Sequence, residues 1–351
     1  MARLFRAIAI CLILVCGSTS VALAQSDPCK AIKSGIQANE VGGLPLGYSA
    51  ANCKWEPTLS YTCVIYVCPT PSAATEVQSR CPNCGRPIGL STGNIYIEET
   101  DVRIPGLSGG LMLNRTWNSL WPATQSASQI GMFGMNWRST YEERIFMGSD
   151  NFVKYSRNDG SFWSFEGGGS LNVIAPSNVT ATMTANAQAT QWTLAFQNGE
   201  QRIFNATSGS LTAIVDRNGN TTQLSYDGLN RLVTVVDPGG RHLYFNYGSN
   251  SSYLVTSVTS DFGISLSYTY DSNSRLTQVT YPDQTTLSFA FDSNSMITTV
   301  TDANGKVLES HTYDACGRGL SSSRAGGVES VGVSYSQPCM TPPSNVVRYF
   351  E

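Results

Sequence analysis

The chain has 351 residues, a net charge of −3 and a charged fraction of 13%, about half the ~25% of an ordinary soluble domain. With no basic run there is no electrostatic basis for nucleic-acid binding. Ser, Thr, Asn, Gly and Tyr take the place of the missing charges, a bias that suits extracellular β-structure, and the length allows two or more domains.

Arg3 and Arg6 make a positive n-region, Ala7–Cys16 a short apolar core, and Ala22-Leu23-Ala24 places small residues where a signal peptidase reads them. The apolar run falls short of the ~20 residues that cross a bilayer, and no later segment qualifies. Val15 stands where a lipoprotein anchor at Cys16 would want a small residue. Residues 1–24 are therefore expected to be a signal peptide, and the mature chain to be secreted or held at the cell surface.

Eight of the ten cysteines follow that signal: Cys29, Cys53, Cys63, Cys68, Cys81, Cys84, Cys316 and Cys339. An even number in an exported chain points to disulfides. Six of them lie between residues 29 and 84, so residues 25–90 are expected to form a small module held by disulfides. Cys63, Cys68, Cys81 and Cys84 also have the close pairing of a zinc-thiolate site. Export favours disulfides over zinc, and no metal or cofactor is expected.

Residues 91–168 are predicted to be a β-rich domain. Val102, Ile104 and Leu111-Met112-Leu113 are short apolar runs separated by Pro105-Gly106 and Gly109-Gly110, a pattern of strands and tight turns. Residues 169–190, rich in Gly, Ser, Thr and Ala, read as a loop or a sheet edge. Trp192, Leu194 and Phe196 then alternate up to Asn198-Gly199, a strong hairpin signal.

Residues 191–351 repeat. Aromatic anchors fall at Phe204, Tyr226, Tyr247, Tyr270, Phe291, Tyr313 and Tyr335, at steps of 22, 21, 23, 21, 22 and 22 residues. Gly219, Gly240, Gly263, Gln284 and Gly305 keep the same register, which marks an internal repeat. Leu243-Phe245-Tyr247, Leu266-Tyr268-Tyr270 and Leu287-Phe289-Phe291 alternate ahead of the anchors, giving strands with one buried face. Asp227-Gly228, Asp271-Ser272-Asn273 and Asp292-Ser293-Asn294 follow as turns. Each unit is then two strands and two turns, which must stack on neighbours to bury its aromatic row. The second strand places apolar residues three apart (Leu232/Val235, Leu276/Val279, Ile297/Val300), which a regular strand would put on opposite faces. A leucine in the turn, a bulge and two covered faces all remain open readings.

Candidate chemistry is sparse. His311 occupies the row of Leu224, Phe245, Tyr268, Phe289 and Val333 and is expected in the β-layer; His242 should face the other side. Neither has a serine or cysteine in a recognisable elbow motif, and no catalytic residue is assigned. Asp227, Asp271, Asp292 and Asp314 recur as turn residues rather than as calcium ligands. Cys316 and Cys339 hold nearly the same place in successive repeats, so stacking predicts a bond between them.

These residues carry a resemblance. Tyr226-Asp227-Gly228-Leu229-Asn230-Arg231-Leu232, Tyr270-Asp271-Ser272-Asn273-Ser274-Arg275-Leu276 and Tyr313-Asp314-Ala315-Cys316-Gly317-Arg318 resemble the YD repeat of Rhs proteins. Glu98-Glu99-Thr100-Asp101, Arg115-Thr116-Trp117-Asn118-Ser119 and Gly134 to Trp137-Arg138 resemble the domain of unknown function that precedes Rhs repeats. The resemblance implies a spiralling β-shell around a toxin or other cargo, exported for competition between bacteria. Asp237-Pro238-Gly239-Gly240 is similar to the family's self-cleavage element but falls in an ordinary repeat turn.

The expected fold is all-β: stacked two-strand YD repeats in an open, incomplete shell, behind a β-rich domain and a disulfide-rich module. The expected function is a non-enzymatic structural segment of a longer shell, with a downstream cargo polypeptide or further repeats as partners. Self-association through the open sheet edge is a further expectation. The alternative is a free-standing surface module that binds envelope carbohydrate or a partner protein.

Overall fold

The computed structural model describes the backbone of residues 54–57 and 64–67, and residues 88–89, 92–120, 130–147, 152–167, 170–249, 252–327 and 329–335. The signal segment and Cys29, Cys53, Cys63, Cys68, Cys81, Cys84 and Cys339 lie outside the described residues. Within 25–90, Lys54–Pro57 pairs antiparallel with Val64–Val67.

Strands make up the long elements, and no α-helix occurs among the described residues. The repeats form one open antiparallel sheet of fifteen strands in strict sequence order, from Thr182–Ala185 to Glu329–Gly332, and the sheet does not close into a barrel. Tight turns join consecutive strands, so order along the chain becomes order across the sheet. Thr182–Ala185, inside the stretch expected as loop or edge, is the outermost strand. At Asn198-Gly199 the expected hairpin forms, with Gly199 at φ 88° and its N–H donating to Phe196 O.

The first strand of each unit alternates as its sequence does. In His242–Tyr247 and Ser265–Tyr270 the second and fourth residues are buried, and the residues between them face out.

A bulge accounts for the apolar residues three apart. Ser225 pairs with Thr234 but Tyr226 pairs with Leu232, which leaves Val233 without an opposing residue. Thr256, Thr277 and Thr298 are skipped in the same way. One extra residue returns the third residue to the starting face, so Leu232 and Val235, Leu276 and Val279, and Ile297 and Val300 are all buried. The three bulge threonines donate their hydroxyls to Asn246 O, Thr269 O and Ala290 O, giving the opened ladder a partner.

The preceding domain forms two three-stranded sheets and a short two-stranded pair, Ile130–Gly131 with Gly134–Met135. Tyr96–Ile104 pairs with Leu111–Asn118, which pairs with Trp137–Ser139. Arg144–Met147, Phe152–Ser156 and Phe162–Glu166 make the second. This front domain lies on the apolar face of the repeat sheet, and one core runs through both.

Candidate functional site: the seam between the front domain and the repeats

A row of ring contacts follows the repeats in order. Tyr155 meets Phe204, Tyr141 meets Phe245, Phe133 meets Tyr268, Trp137 meets Phe289, and Trp117 meets Tyr313, at centroid distances of 4.8–6.3 Å. All these pairs are tilted or edge-on, the arrangement that ring quadrupoles favour. Main-chain bonds run alongside: Ile145 N donates to Gly209 O, Val255 N to Met132 O, Met135 N to Ser274 O, and Gly319 N to Gly93 O. The front domain thus touches the sheet at one step after another, which fixes where each repeat sits.

The seam is centred on a buried ion pair. Arg115 Nε and Nη2 donate to Asp101 Oδ2 and Oδ1 at 2.5 and 2.9 Å, and both side chains are fully buried. Tyr268 of the repeats donates its hydroxyl to Asp101 Oδ2 at 2.8 Å. The Arg115 guanidinium also lies 4.7 Å from the Trp137 ring. Burial works against the charge on Arg115, but Asp101 more than offsets it and holds the pKa above its ordinary value. Burial followed by the Asp101 charge raises the Tyr268 phenol well above normal. A second buried knot joins Glu143, which accepts from Tyr155 Oη at 2.7 Å and Arg202 Nε at 3.1 Å.

The repeat signature has a physical reading. The anchor tyrosine donates to the first carbonyl of the preceding second strand: Tyr226 to Leu211 O, Tyr247 to Leu232 O, Tyr270 to Val255 O, Tyr313 to Ile297 O and Tyr335 to Gly319 O, all at 2.7–2.8 Å. The aspartate caps its own turn; Asp227 Oδ1 accepts from Leu229 N and Arg231 N, and Oδ2 from Arg231 Nε. Asp271 and Asp314 repeat that geometry. The arginine then reaches forward to lie 4.6 Å from the Tyr247 ring, 5.0 Å from Phe291 and 4.1 Å from Tyr335. Tyrosine, aspartate and arginine therefore tie each such turn to the unit before it and the unit after it.

Against the desolvation of burial, these hydrogen bonds and the arginines hold Asp227, Asp237, Asp271 and Asp314 below the usual carboxylate pKa of 3.8. Carboxylates depressed in the folded state contribute stability above the unfolded pKa and lose it as pH falls through the folded value. The sheet is expected to keep its near-ultraviolet dichroism down to about pH 4 and lose it below. Replacing Asp227 and Asp271 by asparagine should flatten that dependence. An acid transition unchanged in the double variant would contradict the assignment.

The remaining expected residues are placed as follows. His311 is buried in the row as expected, 3.4 Å from Glu309 across an unfavourable hydrogen-bond length. Ser322 stands directly opposite it on the next strand, a neighbour that no local motif announces, and its buried hydroxyl has no hydrogen-bond partner among the described residues. His242 faces outward, stacked on Tyr244 and 2.9 Å from Asp261. Asp237 sits in an ordinary repeat turn and holds Arg241, whose Nη2 donates to Pro105 O of the front domain. Cys316 is disulfide-bonded, and every other cysteine lies outside the described residues. No group of three or more metal-ligating side chains occurs among the described residues. What the sequence did not reveal is the seam itself, because the repeat-side partners of Asp101, Trp117 and Trp137, which are Tyr268, Tyr313 and Phe289, lie more than a hundred residues away.

Two family models match the chain. A domain of unknown function (DUF6531) covers residues 85–165, and the RHS repeat covers residues 207–242 and 254–286. A tRNA nuclease WapA of Bacillus subtilis (strain 168) is 30% identical over 142 residues, which are 40% of this chain and 6% of that protein. A tRNA3(Ser)-specific nuclease WapA of Bacillus spizizenii has the same identity and coverage. Among solved structures, TcdB2-TccC3 without its hypervariable C-terminal region is 10% identical over 71% of this chain and 16% of that one, with a TM-score of 0.27. A Photorhabdus luminescens Tc holotoxin pore gives 13% identity, 66% and 10% coverage, and a TM-score of 0.26.

Proposed function

Because the chain is an RHS-repeat protein with a DUF6531 domain ahead of its repeats, we propose that it is a non-enzymatic wall segment of an exported shell. That wall encloses or presents a toxin or other cargo polypeptide in competition between bacteria. The observation that carries this reading is the one-sided core. Fifteen strands in sequence order bury one face only, and the front domain lies on that face and fixes the position of each repeat in turn. The Arg115–Asp101–Tyr268 and Glu143–Arg202 bonds commit buried ionisable groups of the seam to holding the two parts together. The nuclease activity named for the WapA relatives belongs to proteins of which the match spans 6%.

Export through residues 1–24 and enclosure of a cargo are tested together. Cells that make the native protein are fractionated, and the exported material is treated with trypsin. The expected result is a cargo polypeptide that resists digestion while the seam is intact and is degraded when it is broken. A chain retained in the cytoplasm, or a cargo cut equally fast in both cases, would end this reading.

The disulfide at Cys316 is assigned to Cys339, one repeat further along. Non-reducing peptide mapping is expected to recover these two cysteines in one linked species. Linkage of Cys316 to any cysteine between 29 and 84 would refute the assignment and would tie the cysteine-rich module to the repeats. Glu329–Gly332 is the last strand of the sheet among the described residues, and strand backbone at such an edge can pair with another strand. Light scattering of the isolated chain is expected to show self-association; a stable monomer at all concentrations contradicts it.

A further inference from the structure

The forward-reaching arginine is present at every second junction. Arg231, Arg275 and Arg318 clasp the anchors Tyr247, Phe291 and Tyr335. The three alternate turns carry no arginine: residues 205–209 read Asn-Ala-Thr-Ser-Gly, 248–254 read Gly-Ser-Asn-Ser-Ser-Tyr-Leu, and 292–296 read Asp-Ser-Asn-Ser-Met. At those junctions the front domain supplies the contact. Arg144 Nη2 donates to Ser208 O and Ile145 N to Gly209 O ahead of Tyr226. Met132 O accepts from Val255 N ahead of Tyr270, and Gly134 lies against the Tyr270 ring. Trp117 stands edge-on to Tyr313 at 6.3 Å.

We propose that the sheet is divided into two-repeat blocks, each held by its own arginine. The junctions from Phe204 to Tyr226, Tyr247 to Tyr270 and Phe291 to Tyr313 are then hinges that the front domain closes. Withdrawal of the front domain opens the wall at these three places and leaves the blocks whole. The bonds of the front domain to Ser274 and Gly319 fall on junctions that Arg275 and Arg318 already hold, so their loss does not open those junctions. Local opening of this kind is set by how few contacts secure a segment.

Hydrogen exchange read by mass spectrometry on the full chain tests the division. In Trp117→Leu, amides between residues 297 and 313 are expected to exchange at least tenfold faster, with those of 232–247 and 319–335 unchanged. In Arg231→Met the acceleration should instead fall between 232 and 247. A global loss of structure in either variant would raise exchange everywhere. The wild-type chain in subdenaturing urea therefore gives the second readout, in which amides at the three hinge junctions should open before those within the blocks. Uniform opening of all six junctions, or an equal spread from the two variants, overturns the proposal.

Discussion

Asp101→Ala is expected to lower the unfolding free energy by about 3–5 kcal/mol, the usual cost of stranding one member of a buried ion pair. Arg115 has no exposed surface, and both of its carboxylate bonds go to Asp101. Tyr268 would also lose the acceptor of its hydroxyl, and an unsatisfied buried donor adds about 1–3 kcal/mol within that total. Since whole domains have only about 5–15 kcal/mol in hand, much of the chain should be insoluble. Urea titration followed by tryptophan fluorescence measures the change. The double variant Asp101→Leu with Arg115→Met removes both charges at similar volume and should recover most of the loss, because well-packed apolar replacements often equal the pair they replace. A single variant that costs less than about 1 kcal/mol would mean that the pair is solvated and does not hold the seam.

The elements within one repeat were legible because their causes are local. Alternating apolar residues, Asp-led turns and a fixed step define strands, turns and neighbours, and the open antiparallel sheet follows. The bulge was half legible: residues three apart required an irregularity, but only the pairing of Tyr226 with Leu232 locates it at Val233. His311 was placed correctly from its row, whereas Ser322 beside it was not, since strand register decides that contact. The seam was illegible for a different reason. Asp101 and Tyr268 are 167 residues apart, and nothing in either segment specifies the other. Arg115-Thr116-Trp117 stood out only through its family resemblance, although a charged residue inside an apolar strand alternation is itself a sign of a buried partner.

Gly209→Ala is expected to be the most damaging single-atom addition in the repeats, at about 1.5–3.5 kcal/mol. Its backbone lies at φ 71°, where an L side chain costs about 1–2 kcal/mol. The added Cβ would also run into the carbonyl oxygen of Ile145. That strand must then move away, which breaks the bond from Ile145 N to Gly209 O at a further ~0.5–1.5 kcal/mol. Gly219 separates the two causes. It has φ 84° in a comparable turn, but nothing lies within 4 Å of the position a Cβ would take. Gly219→Ala should therefore cost only the backbone term, about 1–2 kcal/mol, and leave the seam untouched. Thermal unfolding of the two variants gives the difference directly, and fluorescence of Trp192 and Trp163 close to the first junction reports whether the front domain has shifted. Equal losses in the two variants would show that the turn alone sets the cost. A larger loss in Gly209→Ala, with a changed tryptophan environment, would show that the front domain bears on the first repeat through backbone contact that leaves no room for a methyl group.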